Sequence, residues 1–287
     1  MITVMIVGLA MGATVNIGQA IGAGNKKKAA KDIGNTVTLF MMLAIVGAAG
    51  LLFFIKPIVG MMSTPQEAVH ETVIYLTICF LGIPFITAYN IISSIFRGIG
   101  DSKSPMYFVA AACAINIILD YLFIGGLHMG AAGAALGTTC SQTISVLIAL
   151  VVIMKKKTGI ALSKNDFKID RKTIKRLLKI GIPVALQDGF IQIAFIIITI
   201  IANRRGLDTA AAVGIVEKII SFLFLVPSSM LSTVSALGAQ NIGAGKRERA
   251  QRILYYAVII TVGFGVMISI NLLCVLCSNC SLESLYL

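Results

Sequence analysis

The stretch QAIGAG at residues 19–24 returns near the other end of the chain as QNIGAG at residues 240–245. Each copy ends a long apolar run and is followed by a cluster of Lys and Arg. A motif repeated in the same setting indicates one structural unit that is used twice. The alternative is a common helix stop, since glycine suits the end of a helix and basic residues suit its last turn. The additional match of Thr14 with Ser235 favours the repeat.

The composition places the chain in a membrane. Its 287 residues are 57% hydrophobic and 13% charged, with 27 Gly and no Trp. Eight stretches approach or exceed the ~20 apolar residues that a helix needs to cross a bilayer, once Asp120 is allowed within the fourth. These stretches lie at residues 1–24, 34–55, 72–96, 104–119, 129–154, 180–203, 219–245 and 253–282. The sequence therefore predicts an all-α, polytopic membrane bundle of about eight helices.

The basic residues fall on alternate loops. Four lie in the loop after the first motif copy, two near residues 97–103, ten in residues 155–179 and four after the second copy, together 20 of the 24. Basic loops stay in the cytoplasm, so we expect these four loops on the cytoplasmic side. The net charge of +12 is then explained by basic residues that keep these loops in the cytoplasm, and it does not indicate a nucleic-acid partner.

The long hydrophilic loop at residues 155–179 divides the predicted helices into two pseudo-symmetric lobes. Six helices separate the two motif copies, an even number, so both copies end on the same side of the membrane. This favours a parallel repeat with a cavity between the lobes, which is an arrangement of membrane transporters. Within the repeat we single out Gln19 and Gly22 in the first copy and Gln240 and Gly243 in the second.

Five motifs in order resemble the multidrug and toxic compound extrusion (MATE) family, in its DinF-like branch. They are GAT at residues 12–14 with GQAIGAGN at 18–25, RGIGDSKSP at 97–105, NIILDYLF at 116–123, GAAGAA at 130–135 and GIPVALQ at 181–187. The resemblance implies a secondary antiporter of twelve helices in two lobes. Such a protein exports small organic, often cationic compounds across the cell membrane against H⁺ or Na⁺. It uses no cofactor besides the coupling ion, is not an enzyme, and is expected here as a monomer.

On that alignment the chain carries the second to ninth of the twelve helices. We expect an amino-terminal lobe without its first helix at residues 1–154, the inter-lobe loop at 155–179 and part of a carboxy-terminal lobe at 180–276. The tail at residues 277–287 does not resemble the family. We therefore expect an incomplete copy, and a non-functional fragment stays an open alternative.

Asp120 is the foremost candidate for a coupling residue. An acid within an apolar run is costly in a membrane and marks a functional site by default. Asn116 lies one helical turn earlier on the same face, and Thr138 on the next helix is expected at a similar depth, roughly 10 Å below the surface at ~1.5 Å per residue. The resemblance likewise implies a Na⁺ or H⁺ site at these three residues. The alternative is an acid that reaches water from a helix end.

Asp188 is a second acid within an apolar run, with Gln187 beside it and Gln192 about one turn further on. A carboxylate here would line the cavity between the lobes and attract a cationic substrate. The alternative is a local hydrogen-bonding role, which the sequence favours equally.

Two other functions deserve comparison with the antiporter. Gly98 and Asp101 belong to a Gly-x-Gly-Asp pattern like that of intramembrane aspartyl proteases, with Asp120 as the partner acid. Asp101 stands in a basic, proline-containing turn, however, where Asp has an ordinary structural role. A lipid-linked oligosaccharide flippase of the same superfamily would be favoured by a cavity rich in Arg and Lys, which the predicted helices lack.

Cys274, Cys277 and Cys280 have the two-residue spacing of cluster ligands, but a fourth ligand is absent. His70 and His128 are isolated, so neither indicates a metal site.

Overall fold

The computed structural model of the chain describes residues 2–61, 66–155, 160 and 162–283, and these residues form helices, turns and short loops without a strand. A 3₁₀ turn lies at Lys164–Phe167, and π-helical turns lie at Tyr121–Gly126 and Val234–Gly238. The α-helices are α1 (Ile2–Gly22), α2 (Lys26–Phe53), α3 (Ile55–Met61), α4 (Gln66–Ile99), α5 (Lys103–Asp120), α6 (Gly130–Lys155), α7 (Arg171–Arg204), α8 (Leu207–Leu223), α9 (Leu225–Thr233), α10 (Ala239–Gly243) and α11 (Arg247–Glu283).

Eight helical segments in the described part of the chain are long and apolar enough to cross a membrane. They are α1, α2, α4, α5 with its π-helical turn, α6, α7, the run from α8 to α10, and α11. The prediction of a polytopic helix bundle with about eight helices is confirmed. A bilayer requires continuous helices, because backbone N–H and C=O groups that face lipid have no water with which to form hydrogen bonds.

Both motif copies end their helices in the same way. The last glycine of each copy adopts a positive φ, +68° at Gly24 and +75° at Gly245. Only glycine takes this left-handed conformation without strain, which explains why each copy ends on Gly. Asn25 then accepts a hydrogen bond from the Lys28 backbone N–H at 2.9 Å and caps the start of α2.

The two copies also pack against each other. The space where Gly22 would carry a side chain is taken by the Gln240 carbonyl, and the corresponding space at Gly243 is taken by the Gln19 carbonyl. The contact is thus reciprocal, each copy presenting its glycine to the glutamine backbone of the other. The ends of α1 and α10 meet backbone to backbone, as small residues permit between membrane helices.

The helix α1 forms a second close contact, with α7 of the other half of the chain. The Leu177 carbonyl fills the space beside Gly12, and a Cβ on Gly181 would lie 2.7 Å from the Leu9 carbonyl. A Cβ on Gly8 would lie 2.8 Å from the Ala185 Cα. We call this antiparallel contact the α1–α7 seam. It makes α1 the central helix, in contact also with α2, α4 and α10.

All four basic loops lie at one end of the bundle. The α1–α2 turn meets the end of α10 through the motif contact. The Gln240 Nε2 donates to the Gly98 carbonyl at 2.8 Å, which brings in the α4–α5 turn. The loop before α7 joins them because Lys31 and Asp170 form an ion pair at 3.1 Å. We call this end of the molecule the basic end.

The hydrophilic loop between the halves is fastened to α2. The Asn35 Nδ2 donates to the Asp166 carbonyl at 3.2 Å, and its Oδ1 accepts from the Asp170 backbone N–H at 2.7 Å. The Thr38 hydroxyl donates to the Phe167 carbonyl at 2.9 Å. Asn35 is almost fully buried, so its two bonds satisfy polar atoms that would be costly to leave unpaired.

The motif contact yields a prediction for stability. A methyl group in Gly22→Ala has to displace the Gln240 backbone, and such overpacking costs ~1–3 kcal/mol. Gly47→Ala on α2 is the matched control, because nothing lies within 4 Å of its added Cβ. It should leave stability unchanged or raise it by up to ~1 kcal/mol, the helix-propensity difference. Thermal melting of the purified chain in detergent measures both, and equal melting temperatures would contradict the contact.

Candidate functional site

Asp120 lies at the last residue of α5, at the end of the bundle opposite the basic end. The Asn116 Nδ2 donates to the Asp120 Oδ1 at 3.4 Å, so the two side chains share one face of the helix. Both side chains are half-buried. The pair offers a carboxylate and an amide within reach of each other, as a small cation requires of its ligands.

The carboxylate of Asp120 reaches the neighbouring helix α6. Its Oδ1 takes the space that a side chain on Gly137 would fill. Thr138, the third residue expected in this site, is the next residue along α6, and its side chain is exposed. Among the described residues no hydrogen bond joins Asp120 to the Thr138 hydroxyl. The structure therefore brings Asn116 and Asp120 together and places Gly137 as their neighbour on α6.

A π-helical turn follows Asp120 directly, at Tyr121–Gly126. A second one, at Val234–Gly238, leads into the second motif copy. Such turns change the direction of side chains along a helix and are frequent at functional sites. The apolar pattern of residues 116–123 gives no signal for them, because the difference between α- and π-helical hydrogen bonding has no simple sequence signature.

A cleft of about 430 Å³ separates the two halves next to the motif contact. On one side it is lined by Val15 and Gln19 of α1, and on the other by residues of the second half that include Ser235, Arg247 and Gln251. It is mostly apolar with a few polar groups, a composition suited to amphipathic organic molecules. Gln19 is thus at the cleft, whereas Gln240 bonds the α4–α5 turn.

Asp188 lies in the α1–α7 seam. Its Oδ2 is 3.1 Å from the position that a Cβ on Gly8 would occupy, and its side chain is half-buried. Gln187 beside it is exposed, and Gln192 is half-buried. The seam thus places one carboxylate between the two halves, with the amides of Gln187 and Gln192 on the same helix.

The two acids of the protease pattern stand at opposite ends of α5. The carboxylate of Asp101 accepts from the Ser104 backbone N–H at 3.1 Å and from the Ser104 hydroxyl at 2.7 Å. It therefore caps the turn that begins α5. This 18-residue helix separates Asp101 from Asp120 by about 27 Å at 1.5 Å per residue, too far for a catalytic pair.

Asp32 and Asn16 are two of the buried polar residues that the sequence analysis did not identify. Asp32 on α2 is 1% exposed, and its Oδ1 lies 3.6 Å from an Arg176 guanidinium nitrogen on α7. Asp32 lies just before the predicted apolar run at residues 34–55, but α2 begins at Lys26 and carries it inside the fold. Asn16 on α1 is also buried, and its Nδ2 lacks a hydrogen-bond partner in the described part of the chain. Within that part no cluster of His, Cys, Asp and Glu is arranged to hold a metal ion.

The sequence profile of the MatE family matches residues 1–122 and 183–281. Among curated proteins, the chain is similar to the probable multidrug resistance protein YoeA of Bacillus subtilis, with 29% identity over 86% of this chain and 55% of YoeA. It is also similar to YpnP of the same organism, with 33% identity over 85% of this chain and 54% of YpnP. The chain spans about half the length of these relatives.

The fold is similar to that of solved MATE proteins. A MATE structure in the bent conformation superimposes with a TM-score of 0.84 at 25% identity, over 92% of this chain and 60% of that one. A multidrug resistance MATE family transporter in an outward-facing conformation gives a TM-score of 0.82 at 24% identity, over 92% and 59%. The family profile covers most of the sequence and the fold agrees with it, so this chain belongs to the MatE family of membrane transporters.

Proposed function

We propose that this chain belongs to a secondary active exporter of small organic, often cationic compounds in the cell membrane. The reciprocal packing of the two motif copies carries the proposal. Two equivalent units that meet through equivalent residues at one end can exchange that contact for another at the opposite end, which alternates access to the space between them. The cleft beside the motif contact supplies a site of suitable size.

Asp120 is the proposed coupling residue. It takes up H⁺ or Na⁺, with Asn116 as a neutral ligand and Thr138 contributing from α6. A bound cation cancels the charge of the carboxylate, and the packing of Asp120 on Gly137 then couples this change to the position of α6 relative to α5. A cation that binds one packing more tightly than the other shifts the population between the two states.

The carboxylate of Asp188 is proposed to attract cationic substrates, and Gln187 and Gln192 are proposed as neutral partners. The position of the carboxylate between α1 and α7 places a negative charge at the boundary of the two halves. A charge in a poorly hydrated setting attracts an organic cation more strongly than the same charge in water. The exporter is proposed to act as a monomer and to need no cofactor besides the coupling ion.

A lipid-linked oligosaccharide flippase is the less favoured function. Its diphosphate substrate needs cationic side chains in the space between the halves. Of the described residues that line the cleft, Arg247 is the single basic one. Most of the other described basic residues lie in loops or near the ends of helices, with Lys218 of α8 as an exception.

The orientation of the bundle can be tested by labelling. We propose that the basic end faces the cytoplasm, because basic loops are retained there. In a variant without native cysteines, Lys164→Cys in the exposed loop should react with a membrane-impermeant maleimide only after cells are permeabilised. Lys56→Cys, exposed on α3 at the opposite end, should react in intact cells. The reverse pattern would contradict the orientation.

The coupling site can be tested by Asp120→Asn, which keeps the size of the side chain and removes its charge. Transport is measured in vesicles, in a fusion that takes the additional helices from YpnP. Gradient-driven efflux should fall about tenfold or more, equivalent to ~1.4 kcal/mol of lost cation binding. Gly137→Ala should also impair coupling, because it displaces the carboxylate. Thr138→Ala removes one neutral ligand and should have the smaller effect.

Asp188→Asn is the control for this experiment. It also removes one carboxylate from an apolar helix, but it should change which cations are exported and leave the dependence on the gradient intact. Coupling that is unchanged in Asp120→Asn, at matched protein levels, would remove Asp120 from the mechanism.

A further inference from the structure

A concave surface at the basic end carries an unusual concentration of positive charge. It lies where the first turns of α2 and α7 face each other and encloses about 880 Å³. The helix α2 contributes Lys27, Lys28 and Lys31, which follow the first motif copy. We call this surface, with the α7 residues described next, the basic pocket.

The helix α7 contributes Lys172, Lys175, Arg176 and Lys179. Their spacing of three, four and seven residues puts all four on one face of the helix, the face turned toward α2. Like charges at this spacing repel and destabilise an isolated helix. Held opposite a second cluster of lysines, a stripe of this kind adds repulsion between the two helices, which bound anions would relieve.

The protein itself supplies two anions. Asp170 pairs with Lys31 at 3.1 Å, and Asp32 lies 3.6 Å from Arg176. Hydrogen bonds from Thr173 and the ammonium of Lys31 hold the pKa of Asp170 at about 2, so its carboxylate is ionised at neutral pH. No ion pair between described residues involves any of the other five basic side chains of the pocket. The basic pocket therefore keeps an excess of five positive charges.

An apolar groove continues from the basic pocket along α7. This groove is shallow and open, with a volume of about 570 Å³. It is formed by α7 alone, with Ile174, Leu178 and Ile182 among its apolar residues and Ile182 45% exposed. Lys175 and Lys179 line both the groove and the pocket. The basic pocket and the groove together extend from the charged end of a membrane-crossing helix toward its apolar middle. A soluble anion would use the charges alone, whereas a molecule with a phosphate and a hydrocarbon chain would use both surfaces.

We propose that the basic pocket binds the phosphate headgroup of an anionic phospholipid, with an acyl chain in the adjoining groove. The pocket lies at the ends of two membrane-crossing helices, which is the depth of lipid headgroups, and basic pockets in this position suit anionic lipids. Because α2 and α7 belong to different halves of the chain, a bound phosphate bridges the halves. It neutralises their mutual repulsion and stabilises the closed arrangement of the basic end.

The purified chain in neutral detergent tests the proposal without any transport assay, so the outcome is independent of the efflux function. Added tetraoleoyl cardiolipin, with two phosphates, should raise the melting temperature by about 3 °C, and dioleoylphosphatidylglycerol by less. Dioleoylphosphatidylcholine and inorganic pyrophosphate at equal phosphate should have no effect. A full shift with pyrophosphate would identify a site for free anions, and an equal shift with the choline lipid would indicate general solvation. Either result would overturn the proposal.

Charge removal localises the site. The triple variant Lys172→Gln, Lys175→Gln, Lys179→Gln should lose most of the cardiolipin shift and should melt no lower than the parent chain without lipid, because repulsion is relieved. The matched control Lys246→Gln, Arg249→Gln, Arg252→Gln removes as many charges after the second motif copy, outside the basic pocket and the cleft, and should keep the shift.

Native mass spectrometry supplies a second measurement, the number of cardiolipin molecules that each protein retains. Lys27→Gln with Lys28→Gln tests the α2 side of the pocket, independently of any effect of the triple variant on folding. Equal retention and equal shifts in the pocket variants and the control would place lipid binding elsewhere and overturn the proposal.

Discussion

The close approach of α1 to α7 and α10 is the constraint on which the rest of the structure depends. Lipid is as apolar as the side chains it would replace, so burial alone gives membrane helices little reason to associate. Dispersion between closely packed backbones supplies the attraction instead, and it requires small residues at the contact. Gly8, Gly12 and Gly22 of α1 each face a residue of the second half. Side chains at these positions would separate the two halves.

The same contact determines where charge can accumulate. Because α1 holds the two halves together, the turns that follow α1 and α10 are brought to one end with the α4–α5 turn and the loop before α7. The basic residues of α2 and α7 then line one concave surface, although they are far apart in the sequence. Asp32 and Asp170 offset part of the repulsion, and the hydrogen bonds of Asn35 hold the loop against it.

The opposite end of the bundle has a different character. Asp120 ends α5 there, and among the described residues it has the amide of Asn116 and a glycine of α6 beside its carboxylate. Under the proposed function, a half-buried acid that is not paired with a basic residue suits the uptake of a coupling cation. Asp32 is the contrasting case, since it is buried next to Arg176. The bundle thus holds Asp120 beside an amide at one end and Asp32 beside an arginine at the other.

Local patterns in the sequence determined the helices, because the length and polarity of an apolar run suffice for a membrane segment. The same holds for the pairing of Asn116 with Asp120, which helical periodicity alone requires. Periodicity says nothing about which helix faces which, so the position of Asp120 against Gly137, with the Thr138 side chain exposed, emerged only from the packing of α5 on α6. The repeat was visible at residues 19–24 and 240–245, but that each glycine receives the backbone of the other copy was not. Asp32 lies just before the predicted apolar run at residues 34–55, and only the folded contact of α2 with α7 buries it beside Arg176. Contacts between residues so distant in the chain depend on the complementary shapes of whole helices, and these exist only in the tertiary structure.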